Sequence, residues 1–73
     1  MKMNKDALAQ KIAKNLKKYR LAKNLSQMDL AELANMHFTY YSQIERSLRK
    51  DISVRRLKDI TDALNITIND VVY

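Results

Sequence analysis

Asparagine takes the place of glycine at the predicted helix ends of this chain. The sequence contains no glycine and no proline. Three stretches with apolar residues at helical spacing instead run into Asn24, Asn35 and Asn65, and an apolar residue follows each asparagine. Asparagine is the non-glycine residue that best tolerates the left-handed conformation just past a helix end. The pattern therefore predicts helices separated by tight turns.

Helical periodicity covers most of the chain, and no stretch alternates with period two strongly enough to predict a strand. The sequence predicts an all-α fold with five helices in a single domain, residues 1–73. These helices are expected over about residues 5–23, from Ser26, over about 38–46, after Ser53, and briefly after Thr67. On the first helix, Leu8, Ile12, Leu16 and Tyr19 are expected to face inward.

Two pairs of residues have the spacing of a helix-capping box. Ser26 precedes Asp29 by three residues, and Thr67 precedes Asp70 by three. In such a box, each side chain hydrogen-bonds the backbone N–H of the other residue. The pairs predict the starts of the second and fifth helices.

Residues 27–47 carry the most specific pattern. Ala31 is small enough for a second helix to cross closely, and Asn35 suits a sharp turn between two short helices. The third-helix side chains not expected to face the core are mostly uncharged donors, acceptors and one aromatic ring, which suits contact with base edges. These candidate base-contacting residues are His37, Phe38, Thr39, Ser42, Gln43 and Arg46.

The charge balance favours a polyanionic partner. The chain has 73 residues, a net charge of +6 and no cysteine. It has no run of signal-peptide length and no stretch of the ~20 apolar residues that a membrane span needs. We therefore expect a soluble, cytoplasmic protein. We expect no enzyme activity, cofactor or metal, because the sequence has no Cys/His pair, Gly-rich phosphate loop or carboxylate cluster.

The segment LSQMDLAELANMHFTYYSQIERSLRK, followed by ALNITINDVV, resembles the Cro/CI-type (XRE) helix-turn-helix family. The resemblance covers roughly residues 10–72. Within the family, Thr39-Tyr40, Ser42 and 44–46 look most like the controller proteins of restriction–modification systems. The resemblance implies a five-helix, lambda-repressor-like fold. It also implies a homodimer on a pseudo-palindromic operator in double-stranded DNA, with RNA polymerase as a further candidate partner.

The resemblance also assigns roles to residues. Phe38, Thr39 and Gln43 fall at base-reading positions, and Arg20 and Glu45 fall where phage repressors form an internal salt bridge. Phe38 stands where controllers often carry arginine, so a thymine methyl contact is more natural there than a guanine contact. Tyr41 replaces a usual Ile or Val, so its hydroxyl needs a partner. The resemblance also places Gln27 at a phosphate-contacting position. Independently of the resemblance, phosphate contacts are predicted for Ser26, for the Tyr40 hydroxyl, and for Arg49 and Lys50, because these two cations directly follow the third helix.

Apolar residues crowd the last eight positions. A core this small cannot easily bury them all, so a two-fold interface between two chains is predicted to involve Ile66, Ile68, Val71, Val72 and Tyr73. One alternative is an antitoxin-like protein-interaction module of the same fold, which would usually need an extra segment beyond Tyr73. Another is binding of the basic first helix to a membrane surface, although a core explains its apolar face better.

Overall fold

The computed structural model describes residues 6–73, and this part of the chain forms five α-helices without a strand. The helices are α1 (Asp6–Ala22), α2 (Gln27–Leu33), α3 (Phe38–Glu45), α4 (Val54–Ala63) and α5 (Ile68–Val72). The predicted all-α, five-helix fold class is confirmed. The predicted start of α1 at residue 5 lies outside the described residues. No helix within 6–73 is long and apolar enough to cross a membrane.

The predicted capping residues begin their helices. The Ser26 hydroxyl accepts a hydrogen bond from the Asp29 N–H, and the Asp29 carboxylate accepts one from the Ser26 N–H. At α5, the Asp70 carboxylate accepts hydrogen bonds from both the backbone N–H and the hydroxyl of Thr67. The Ser53 hydroxyl likewise caps α4. The contacts made by backbone N–H groups satisfy donors that the first turn of a helix leaves unpaired.

Left-handed residues end four of the helices. Asn24, Asn35 and Asn65 have φ values of 58°, 58° and 61°, as the sequence predicts, but Ser47 also has a φ of 63°. After each of the four, the next residue donates its N–H to the carbonyl five residues earlier. This is the Schellman arrangement. Sequence reasoning missed the one at Ser47, because serine has no strong preference for that conformation.

The core lies where α1 packs against α3 and α5, and α2 packs against α3 and α4. Its fully buried side chains come from all five helices and include Leu16, Leu30, Tyr41, Ile60 and Val71. Ala31 is also buried, so its small side chain permits the close approach of α2 and α3 that the sequence predicts. Tight packing of this kind fixes α3 relative to the rest of the molecule.

Two predictions about buried and exposed residues are wrong. Leu8 was expected to face inward, but 53% of its surface is exposed. The buried face of α1 is centred instead on Ala9, Ile12 and Ala13, whose small or branched side chains allow neighbouring helices to approach. Val71 was assigned to the dimer interface, but its side chain is fully buried in the core of its own chain. It is therefore unavailable to a second molecule.

Candidate nucleic-acid interface

The α2–α3 segment forms a helix-turn-helix whose turn is built around Asn35. The left-handed Asn35 reverses the chain, and the Met36 N–H donates to the carbonyl of Ala31 at 2.9 Å. His37 then adopts an extended conformation as the N-cap of α3, although its side chain makes no capping hydrogen bond. The His37 side chain is exposed next to the first turn of α3.

The two faces of α3 differ sharply in burial. Tyr41 and Ile44 are buried in the core, whereas the Phe38 ring is 41% exposed. The remaining candidate base-contacting residues are exposed or half-buried: His37, Thr39 and Arg46 are exposed, and Ser42 and Gln43 are half-buried. The structure thus brings all six candidates together along one helix and its ends. Arg46 is the only lysine, arginine, aspartate or glutamate among these six residues, so the face offers mixed hydrogen-bonding and apolar groups.

A buried polar cluster ties α3 to α1 and α2. Arg20 on α1 donates from Nε and Nη2 to the two carboxylate oxygens of Glu45, both at 2.8 Å. The Tyr41 hydroxyl donates to Oε2 of Glu45, and the Gln27 amide donates to Oε1 at 3.0 Å. The side chains of Arg20 and Glu45 are only 9% and 3% exposed. The two residues that the resemblance pairs therefore form a bidentate ion pair, with two further donors on the same carboxylate.

The cluster favours the charged form of Glu45. Burial by itself would raise the pKa of the Glu45 carboxyl, but hydrogen bonds from Arg20, Tyr41 and Gln27 outweigh it and lower the pKa below its usual value. The hydrogen bond to Glu45 likewise raises the pKa of Arg20, against the opposing effect of burial. Burial, and then the hydrogen bond to the Glu45 carboxylate, raises the pKa of Tyr41. The pair is therefore ionised and the tyrosine neutral at ordinary pH.

Two residues that were predicted to contact phosphates, Ser26 and Gln27, also make hydrogen bonds within the protein. Gln27 is half-buried, and one of its two amide N–H donors is directed to Glu45. Ser26 is exposed, but its backbone hydrogen bond lowers the pKa of Asp29 and holds a carboxylate beside it. That negative charge opposes a phosphate at the same point. The sequence predicted the contact between Ser26 and Asp29 as a capping box, but it did not predict the contact of Gln27 with Glu45.

The loop after α3 brings further predicted contacts together. Arg49 donates from Nε to Oε1 of Gln43 at 3.0 Å, and its guanidinium lies 4.7 Å from the centroid of the Tyr40 ring. Tyr40 is half-buried against the core. Lys50 is exposed beside Arg49. An open groove in this region is lined by Gln43, Leu48, Arg49, Lys50 and Asp51.

Comparison with known proteins agrees with this geometry. Residues 16–71 match the family model described as helix-turn-helix. The chain belongs to the XRE-type helix-turn-helix family. Its members are DNA-binding transcriptional regulators and not enzymes. The predicted family resemblance is confirmed, and the chain is a helix-turn-helix transcriptional regulator.

Several individual relatives support the assignment. The control protein C.SmaI of Serratia marcescens is 37% identical over 57 residues, which is 78% of this chain and 67% of that protein. The regulator SinR of Bacillus subtilis is 33% identical over 80% of this chain, a match that spans 52% of SinR. The restriction-modification controller protein C.AhdI of Aeromonas hydrophila has a crystal structure that superposes with a TM-score of 0.83. That match has 31% identity and covers 89% of this chain and 97% of C.AhdI.

Proposed function

We propose that this helix-turn-helix regulator binds a pseudo-palindromic operator in double-stranded DNA as a homodimer, with α3 in the major groove. The observation that carries the proposal is the outward face of α3. It combines an exposed aromatic ring at Phe38 with the polar side chains of Thr39 and Gln43, and the cationic Arg46 follows at its end. A major groove presents donors, acceptors and thymine methyl groups that such a surface can distinguish.

The proposed contacts divide into two kinds. Base edges are contacted from α3 and its ends by His37, Phe38, Thr39, Ser42, Gln43 and Arg46. Phosphates are contacted around them by Tyr40 and Lys50, with Ser26 and Gln27 contributing the donors that their capping and buried contacts leave unused. Contacts of the second kind orient the protein on the duplex without reading sequence. The net charge of +6 favours the approach to DNA.

A two-fold interface is proposed at the C-terminal end of the described chain. Ile66, Ile68 and Val72 are half-buried, and Tyr73 is 85% exposed. Burying this apolar surface against its symmetry-related copy would remove it from water. Dimerisation would also link two α3 helices about one helical turn of DNA apart, so two modest half-site affinities combine into a strong one.

The biological role that we propose is control of restriction–modification genes in the cytoplasm. Support comes from the kinship with C.SmaI and C.AhdI, whose names describe them as control or controller proteins. A dimer bound near a promoter would act on transcription through RNA polymerase, either by contacting the enzyme or by blocking it.

Selection of bound sequences from a random DNA pool tests the proposal. We expect a two-fold symmetric consensus, with half-sites separated by about one helical turn. Sedimentation of the protein with the selected duplex should give two chains per site. A pool that shows no enrichment would contradict sequence-specific binding. Stoichiometric co-purification of a different polypeptide from the native host, together with no enrichment, would favour the antitoxin-like alternative.

A further inference from the structure

Arg49 lies against α3 through two contacts that its position in the sequence does not predict. Its Nε donates to Oε1 of Gln43 at 3.0 Å, and its guanidinium lies 4.7 Å from the Tyr40 ring centroid. Tyr40 and Gln43 are three residues apart on α3 and therefore share a helix face. A guanidinium stacked on an aromatic ring is held in a defined plane. Arg49 is thus oriented before any DNA is bound.

The backbone explains how a loop residue returns to α3. Ser47 is left-handed, with φ at 63°, and the Leu48 N–H donates to the carbonyl of Gln43 at 2.9 Å. This turn directs the chain back along the helix that it has just left. Arg49 consequently reaches the side chain of a residue six positions earlier.

The hydrogen bond changes what Gln43 can offer to a base. Because an arginine Nε–H can only donate, its partner must be the amide oxygen of Gln43. One lone pair of that oxygen is then occupied, and the amide nitrogen remains as a donor. The guanidinium uses one of its five donors in this contact and keeps its two terminal amino groups. Together the two side chains present mainly N–H donors.

We infer that Gln43 and Arg49 act as one composite reader, which selects an acceptor-rich base edge, that of guanine. Guanine presents two acceptors, N7 and O6, in the major groove, whereas adenine presents one acceptor and one donor. A lone glutamine suits adenine, but a glutamine whose oxygen is bound by arginine suits guanine better. The inference deepens the proposed function and rests on it. It also replaces the phosphate contact that the sequence assigns to Arg49.

A double-mutant cycle on DNA tests this coupling. Binding is measured by fluorescence anisotropy on the selected operator and on duplexes with each single base pair changed. Gln43→Ala and Arg49→Ala should each lose ~10-fold or more in discrimination at the same G·C pair of each half-site. The double variant should lose little more than either single variant. The inference would be overturned if the loss of discrimination in the double variant equalled the product of the two single losses. It would also be overturned if the two single variants lost discrimination at different base pairs.

Arg49→Lys separates base reading from simple charge. Lysine keeps the positive charge but has neither the planar fork nor the Nε donor. We expect Arg49→Lys to lose discrimination at that G·C pair as Arg49→Ala does, while the salt dependence of binding stays near wild type. Arg55→Lys on α4 is the matched control and should change neither quantity. If Arg49→Lys keeps full discrimination at that G·C pair, Arg49 contacts a phosphate and does not read a base.

A measurement on the DNA-free protein distinguishes failure of the composite reader from failure of the proposed sequence-specific function. In NMR spectra of the free protein, the side-chain amide signals of Gln43 should shift in Arg49→Lys and not in Arg55→Lys. Unchanged Gln43 signals would refute the composite reader whatever the DNA results are. If wild-type protein instead binds selected and scrambled duplexes equally while the Gln43 signals do shift, the proposed sequence-specific function fails and the reader fails with it.

Discussion

Replacing Glu45 by glutamine should severely destabilise the fold, because Glu45 is the common acceptor of donors from three helices. Each carboxylate oxygen accepts two hydrogen bonds: Oε1 from Arg20 and Gln27, and Oε2 from Arg20 and Tyr41. In Glu45→Gln, one oxygen becomes an N–H₂ group that faces two donors. The guanidinium of Arg20 would also stay buried without its counter-charge.

The size of the effect follows from the burial of the pair. An exposed ion pair is worth under ~1 kcal/mol, whereas removing one partner of a buried pair costs ~3–5 kcal/mol. With the Glu45 side chain only 3% exposed, we expect a loss in the upper range. A small domain has a total stability on the order of 5 kcal/mol. The variant should therefore keep little or none of that stability without a stabilising osmolyte.

Urea melts followed by far-UV circular dichroism measure the loss. Melts with a fixed concentration of an osmolyte such as TMAO keep both proteins folded at zero denaturant. Asp62→Asn is the matched control, because Asp62 forms an exposed pair with Lys58 at 3.0 Å. We expect that control to lose no more than ~0.5 kcal/mol. If Glu45→Gln loses only as much as the control, the cluster does not stabilise the fold as argued.

The pH dependence of stability gives an independent check. The hydrogen bonds hold the pKa of Glu45 below its usual value in the folded chain. Its stabilising contribution is therefore complete above the unfolded pKa, ~4.3, and is lost as the pH falls through that value toward the folded pKa. The difference in unfolding free energy between wild type and Glu45→Gln should be constant near neutral pH and shrink below about pH 4. A difference that grows in acid would contradict this sign.

Three further predictions concern other parts of the molecule. Ser47→Gly should raise the unfolding free energy by up to ~1 kcal/mol, because glycine adopts the left-handed conformation without the Cβ penalty; an unchanged urea midpoint would argue against strain there. Lys50→Ala should weaken binding to selected and scrambled DNA alike and reduce the log–log salt slope by ~0.9, whereas an unchanged slope would remove Lys50 from the phosphate contacts. Val72→Asp should abolish the dimer and greatly weaken operator binding; because Val72 is half-buried, Tyr73→Asp provides a second variant at an exposed site. Sedimentation showing both variants still dimeric would exclude this interface.

Local sequence signals predicted much of the fold. Asn24, Asn35 and Asn65 marked three helix ends because their conformational preference depends on the residue itself. The pairing of Ser26 with Asp29 likewise needs only a spacing of three residues. Leu8 shows the limit of periodicity, because two neighbouring faces of α1 both carry apolar residues. Which face is buried depends on the shape of α3 and α5, and that shape is not encoded in α1 alone.

The candidate interface was predictable in its position but not in its internal contacts. The outward face of α3 could be predicted because apolar core residues recur at helical spacing and leave the remaining side chains on the surface. The contact of Arg49 with Gln43 depends on the left-handed Ser47, and serine gives no warning of that conformation. A side chain assigned to DNA by position can therefore be bound first by its neighbours within the protein.

Tyr41 adds a hydrogen-bond donor to the buried site around the Glu45 carboxylate. The family resemblance implies an aliphatic residue at this position, and an aliphatic side chain would fill the core without adding a donor. The tyrosine ring is fully buried, and its hydroxyl instead donates to Oε2 of Glu45, the oxygen that Arg20 Nε also contacts. Burying a carboxylate is costly unless its lone pairs are satisfied. The extra donor offsets part of that cost, and because Tyr41 lies on α3 itself, the same contact that stabilises Glu45 also fixes the helix whose other face is proposed to read DNA.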